Sequence, residues 1–83
     1  MASVEERVKK VVAQVLNVDP AEIKPEHDFV HDLGAESIQS YELVASFEEE
    51  FDIEMDEDDA LAVSTVGGAV EFIADVLKEQ KGE

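Results

Sequence analysis

Val4, Val8, Val11, Val12, Val15 and Leu16 recur at the three-and-four spacing that marks one face of a helix. Ser3 followed by Glu6 has capping-box spacing, which predicts a start near Val4 and an end by Asn17. Asp19-Pro20-Ala21-Glu22 then puts a capping acid before a proline at the first helical position. That is enough for a single turn ending near Ile23, and Pro25 stops it there. The connection from Asn17 to Glu36 is about twenty residues, longer than usual in a compact domain. Ile23, Phe29, Val30 and Leu33 are expected to anchor it, so the loop is expected to be ordered.

A second helix is predicted from Ser37 to Phe51, and its apolar residues project as two separate stripes. Leu43, Val44, Phe47 and Phe51 form the longer one; Ile38, Tyr41 and Ala45 form the other, bordered by Glu42 and Glu49. A core this small accommodates one stripe, so the longer is assigned to it and the shorter to a partner. Asp56 to Ala62 reads as a short third helix, with acids in the first turn where the macrodipole favours them. Ser64-Thr65 caps a last helix carrying Val66, Ala69, Val70, Ile73, Val76 and Leu77, with Lys78 and Lys81 in the final turn and Gly82 at its close. Nothing alternates with a period of two. The expected fold is all-α, a small four-helix bundle of three main helices and one short one, forming a single domain over 1–83 with a long ordered loop between helices 1 and 2.

Charge narrows the possible partners. The chain has 22 Asp plus Glu against 6 Lys plus Arg, a net charge of −16, yet 45% hydrophobic residues in helical register argue for a packed fold over disorder. Such a surplus opposes nucleic acid and anionic lipid, whose affinity rests on neutralisation by basic residues. No base lies between Lys24 and Lys78, and that interval holds 16 acids, nine of them between Glu48 and Asp59. An acidic run is ordinarily a solvated face, but here it flanks an unexplained apolar stripe, which suits docking to a basic partner. The absence of Cys excludes disulfides, thiolate metal sites and a cysteine nucleophile, so thiol chemistry would have to be imported. The apolar stretch of the first helix is too short and interrupted for a signal peptide, and none approaches a membrane span, so a cytoplasmic location is expected.

Several chemical readings fail on spacing. Asp52, Glu54, Asp56 and Asp58 match the acidic positions of a calcium loop, but Glu57 stands where Gly is needed and Val63 where a bidentate Glu should close the shell. His27 and His31, with Asp28 and Asp32, have a metal-like spacing, but Pro25 and the loop context spoil the helical geometry and no third neutral ligand follows. Gly67-Gly68 lacks the Lys and the preceding strand of a nucleotide loop. No metal and no Ser/His/Asp catalytic set is expected. Ser37 is the sharpest candidate. A serine at a helix start is ordinarily an N-cap. Within Asp32-Leu33-Gly34-Ala35-Glu36-Ser37-Ile38, however, its hydroxyl stands where a long loop meets a helix N-terminus able to hold a phosphate.

That segment, followed by Tyr41-Glu42-Leu43-Val44, Phe47-Glu48-Glu49-Glu50-Phe51-Asp52 and the Thr65-Val66 helix start, resembles the acyl carrier protein family over nearly the whole chain. The resemblance implies that Ser37 carries 4′-phosphopantetheine, transferred from coenzyme A by a phosphopantetheinyl transferase, with Asp32, Gly34, Glu36 and Ile38 forming the attachment motif. The arm's thiol would hold acyl groups as thioesters. Glu36, Ile38, Tyr41, Glu42, Ala45, Glu48, Glu49, Asp56 and Glu57 would meet basic surfaces of synthases, reductases and acyltransferases of fatty-acid, polyketide or related biosynthesis. Leu43, Phe47, Phe51 and Ile73, with Val8, Val12 and Leu77, would line the acyl pocket. Such a protein is a monomeric carrier and a substrate of enzymes, with no catalysis of its own.

The chain departs from the family pattern at Glu36, where Asp is usual, and at Ile38, where Leu is usual. Tyr41 is bulkier and Ala45 smaller than the common residues; Met55-Asp56 replaces Ile-Pro, and Leu61-Ala62 stands where polar residues are frequent. These differences point to a specialised carrier. The competing readings are an unloaded, carrier-like regulator that docks on a basic partner, and an acidic cation-binding protein.

Overall fold

A computed structural model describes residues 2–82. Four α-helices follow in order: α1 (Val4–Leu16), α2 (Ser37–Phe51), α3 (Glu57–Leu61) and α4 (Val66–Lys81), with a 3-10 turn at Pro20–Glu22. Among the described residues none forms a strand; a single antiparallel bridge joins Asp28 to Thr65. The all-α, four-helix architecture expected from the hydrophobic pattern is the one observed.

Side-chain caps explain most of the boundaries. Ser3 accepts from the amide of Glu6 at 3.1 Å while Glu6 accepts from the amide of Ser3 at 3.3 Å, so each satisfies one donor left over by the first turn. Asp19 Oδ1 caps the 3-10 turn through Ala21 N (2.9 Å), and Asp56 Oδ1 caps α3 through Asp59 N (3.1 Å). Thr65 Oγ1 does the same for α4 through Gly68 N at 3.0 Å. α3 is one residue shorter at each end than its sequence pattern suggested, because Asp56 and Ala62 serve as its caps. Asn17 and Asp52 close α1 and α2 in the left-handed conformation (φ 57° and 54°), which short polar side chains tolerate better than most.

α1 is the hub. Its Val8, Val11 and Val12 are buried, and it packs against both α2 and α4, whereas α2 and α4 approach each other less closely. Ile73 and Leu77 of α4 and Leu43, Phe47 and Phe51 of α2 complete the core with Ile53. Burying a Val, Leu or Phe side chain contributes roughly 1.5–3 kcal/mol, and no polar side chain is buried among the described residues.

The long loop is ordered by backbone pairing with the start of α4. Phe29 N donates to Ser64 O (2.9 Å), Val66 N to His27 O (3.0 Å) and Gly67 N to Pro25 O (2.8 Å). Gly67 suits this close approach, since a Cβ on it would lie 3.1 Å from Pro25 O. Ile23, Phe29 and Ala35 pin the loop into the core, and Leu33 is half-buried. Val30, expected to anchor it, instead stands 54% exposed. Its amide is turned to Asp28 Oδ1 (2.9 Å) in a tight turn that directs the side chain outward, and Phe29 takes the inward position.

Candidate functional site

Ser37 is the first residue of α2, and the residue before it, Glu36, occupies the N-cap position with extended backbone (φ −87°, ψ 165°). The ordinary capping role therefore does not fall to Ser37. Gln39 Oε1 reaches back to accept from Glu36 N at 2.9 Å, and Ser40 N is bonded to Glu36 O at 3.1 Å. The Ser37 side chain is exposed and, among the described residues, makes no hydrogen bond, so its hydroxyl is free to react. The amides of Ser37 and Ile38 in the same turn precede the first helical hydrogen bond, and with the helix dipole they favour a phosphate ester there.

The approach to Ser37 is held by Asp28 and Gly34. Asp28 Oδ1 accepts from the amides of Val30 and His31, each at 2.9 Å, and Asp32 Oδ2 accepts from Asp28 N at 2.7 Å. The His31 amide, with that of Val30, holds the Asp28 carboxyl below the usual carboxylate range. Gly34 adopts φ +72°, a left-handed conformation in which it donates to Val30 O (3.1 Å) and the chain turns toward Ala35, whose amide bonds Phe29 O at 2.8 Å. Asp32 is thus a loop brace, and Gly34 the turn that delivers Glu36 and Ser37 to the helix.

One turn beyond Ser37 a cavity of about 270 Å³ begins at Ser40. Leu43, Val44 and Phe47 of α2, Leu61 of α3 and Ala69, Phe72 and Ile73 of α4 form its apolar walls, with Phe29, Met55 and Val63. Three of the four residues expected to surround an acyl chain, Leu43, Phe47 and Ile73, are brought together on it. Phe51 is not among its lining residues, nor are Val8, Val12 or Leu77. The physical reason is Arg7, whose guanidinium lies 4.3 Å over the Phe51 ring and binds Glu50 Oε2 (3.0 Å) and Glu50 O (2.7 Å), closing that end of the bundle. Met55 and Leu61, read from the sequence only as departures from the family pattern, turn out to be cavity wall; residues so far apart in the chain leave no local signal of a shared surface.

The second stripe of α2 faces outward. Ile38 is 68% and Tyr41 53% exposed, and Ala45 lies beside them on the surface. Glu36, Glu42 and Glu49 on the same helix and Asp56 and Glu57 at the start of α3 are all exposed. Glu48 is the exception: half-buried, its Oε2 accepts from Met55 N at 2.9 Å and so fastens the segment entering α3. Among the described residues no base lies within ion-pair distance of any of these acids; the ion pairs fall elsewhere, on Glu5, Glu50 and Asp52.

The discarded sites have structural occupations. His27 Nδ1 accepts from Lys24 N at 3.2 Å, Asp52 pairs with Lys81 at 2.9 Å, and Asp56 is a helix cap. Among the described residues no group of three or more His, Cys, Asp or Glu is placed to hold a metal ion, and no helix is long and apolar enough to cross a membrane.

The family of phosphopantetheine attachment sites matches residues 6–73, which include Ser37, the loop before it and the whole cavity wall. Among solved structures, a Mycobacterium tuberculosis chain assigned as an acyl carrier protein superposes with a TM-score of 0.82 at 30% identity, covering 88% of this chain and 97% of its own. A match to the attachment-site family over most of the chain, together with a fold shared across almost the whole of that relative, settles the assignment: the chain belongs to the acyl carrier protein family, whose members are phosphopantetheine-bearing carrier domains.

Proposed function

We propose that this protein is a cytoplasmic acyl carrier in which Ser37 bears 4′-phosphopantetheine and acyl intermediates travel as thioesters on the arm. The observation that carries the reading is the Ser37 hydroxyl, exposed and without a hydrogen bond at the first residue of α2, one turn from the mouth of the cavity. Ser37 Oγ forms the new ester bond to phosphorus as the pyrophosphate bond of coenzyme A breaks; the adenosine bisphosphate leaves and the hydroxyl proton passes to the transferase. When bound, the arm supplies the thiol that the chain itself lacks.

The remaining residues divide by task. Asp32 and Gly34 fix the loop, and Glu36 and Ile38 flank the hydroxyl where the transferase must engage. Glu42, Glu49, Asp56 and Glu57 steer basic enzymes of fatty-acid, polyketide or related biosynthesis toward the Ile38, Tyr41 and Ala45 strip, while Glu48 divides its charge between that face and the amide of Met55. Unpaired surface charge speeds encounter, and a small apolar contact keeps release fast, as a shuttle requires. In this reading the chain is a substrate of its partners.

Intact mass spectrometry after incubation with coenzyme A and a broad-specificity transferase tests the reading. One phosphopantetheine is expected on the wild-type protein and none on Ser37→Ala. Failure of the wild type to gain mass, or a gain that persists in Ser37→Ala, would overturn it. If Glu42→Gln and Glu49→Gln abolish partner binding while loading never occurs, the unloaded docking subunit is the correct alternative.

A further inference from the structure

We infer that Gln39 is a positioning residue for loading: by accepting from the Glu36 amide it fixes the start of α2 at Ser37 and keeps the Ser37 hydroxyl out of the helix cap, a role that rests on Ser37 carrying the arm. The local sequence offers two starts. In the one observed, Glu36 is the cap, extended at φ −87° and ψ 165°, and Ser40 N donates to Glu36 O at 3.1 Å as the first helical bond. One residue further on, Ser37 would be the cap, and its Oγ would accept from the amide of Gln39 or Ser40. Serine is among the strongest caps and glutamate is not, so side-chain preference alone favours the second start. A hydroxyl in that role has a lone pair turned back onto the helix, away from an incoming phosphorus.

Gln39 reverses the preference because it fits only the first start. Its Oε1 lies 2.9 Å from Glu36 N, the reciprocal half of a capping box, which calls for Gln or Glu three residues after the cap. With Ser37 as the cap, that third position falls to Ser40, whose hydroxyl is too short for the reach. The loop side is already committed, since Ala35 is buried and its amide donates to Phe29 O at 2.8 Å. Glu36 N–H is therefore the first amide that α2 itself must satisfy, and Gln39 satisfies it. One hydrogen bond of ordinary strength shifts the balance between the two starts by about fivefold. Tyr41, Glu42, Ala45 and Glu49 lie beyond the first turn and are placed alike in both, so a transferase docks on either and reacts only with the first.

The experiment compares the full-length wild type with Gln39→Met, which keeps length and helix propensity without an amide oxygen, and with Gln39→Glu, which retains an acceptor. Initial rates of loading are measured by intact mass with coenzyme A and a broad-specificity transferase at varied carrier concentration. The 13C shifts of Ser37 are recorded on the unloaded proteins. Gln39→Met is expected to lower kcat by about three- to fivefold with KM unchanged, and to move the Ser37 Cα and Cβ shifts from helical toward extended values. Gln39→Glu should restore both. A kcat equal to that of the wild type, a loss confined to KM, a Ser37 signature that stays helical in Gln39→Met, or a failure of Gln39→Glu to restore the rate would each overturn the inference while leaving the carrier role intact. If the wild type itself gains no phosphopantetheine, the carrier role and this one fall together, and the wild-type mass spectrum separates the two failures.

Discussion

At the far end of α2, Phe51 is 3% exposed under the Arg7 guanidinium, and Glu50 is held by Arg7 at 3.0 Å and Lys10 at 3.4 Å. One turn earlier, Phe47 is equally shielded from solvent yet borders a space of about 270 Å³, and among the described residues no base pairs with the acids on the outer face of the helix. The same helix is thus dense and charge-paired where it meets α1, hollow and charge-unpaired where it faces α3, α4 and the loop. The difference has a mechanical origin. Arg7 and Lys10 of α1 reach Glu50, and Lys81 at the end of α4 reaches Asp52 at 2.9 Å, so three of the six bases serve the closed end. Stability is concentrated at one end of the bundle, which leaves the other free to deform around a ligand and to present charge to partners.

The contrast breaks most visibly under large-to-small substitution. Phe51→Ala should cost about 3–5 kcal/mol in urea unfolding, whereas Leu61→Ala, on a wall already next to empty space, should cost about 1 kcal/mol or less. Equal losses would mean that the hollow end is packed in solution. Arg7→Met keeps the aliphatic stem and removes the guanidinium; a loss of about 1 kcal/mol is expected from the ring contact and the Glu50 bonds together.

Acid sharpens the comparison in a different way. The Arg7 hydrogen bond holds the Glu50 carboxyl below its ordinary range, and the Lys81 hydrogen bond does the same for Asp52. Folding favours the charged form of both, so their contribution is complete above the ordinary pKa and disappears as pH falls through the lowered values, from about 4.5 for Glu50 and about 3.8 for Asp52. Glu50→Gln should flatten that acid limb in a pH series of thermal midpoints. Glu42→Gln, on the unpaired face, should raise stability by about 0.2–0.5 kcal/mol at low salt, an effect that added salt removes. The smallest change is expected from Asn17→Gly, where the left-handed φ of 57° suits glycine and a gain of about 0.2 kcal/mol or less should appear.

Helix boundaries and the two faces of α2 are legible in the sequence because both are local. A capping acid or hydroxyl meets an amide two or three residues away, and apolar spacing along one helix fixes which side turns inward. Ser3, Asp19 and Thr65 all cap as their positions suggest, and Ile38, Tyr41 and Ala45 are exposed as the shorter stripe predicts. Ser37 itself was visible as a hydroxyl at a loop–helix junction. That Glu36 takes the cap, and so frees the Ser37 side chain, was not, because residue preference favours Ser as the cap and only the backbone dihedrals give the position to Glu36.

What the chain determined alone, then, was four helices, their caps, the acidic face and the serine at its edge, each set by residues within a turn or two of one another. The tertiary structure decided which half of the Leu43 to Phe51 stripe is filled and which is hollow, through Arg7 reaching across 43 positions to Glu50 and through the Pro25 to Gly67 contact that seats the loop on α4. It also turned Val30 outward and Glu48 toward Met55. A cavity is the space left after several distant segments have packed, so no single segment carries its pattern.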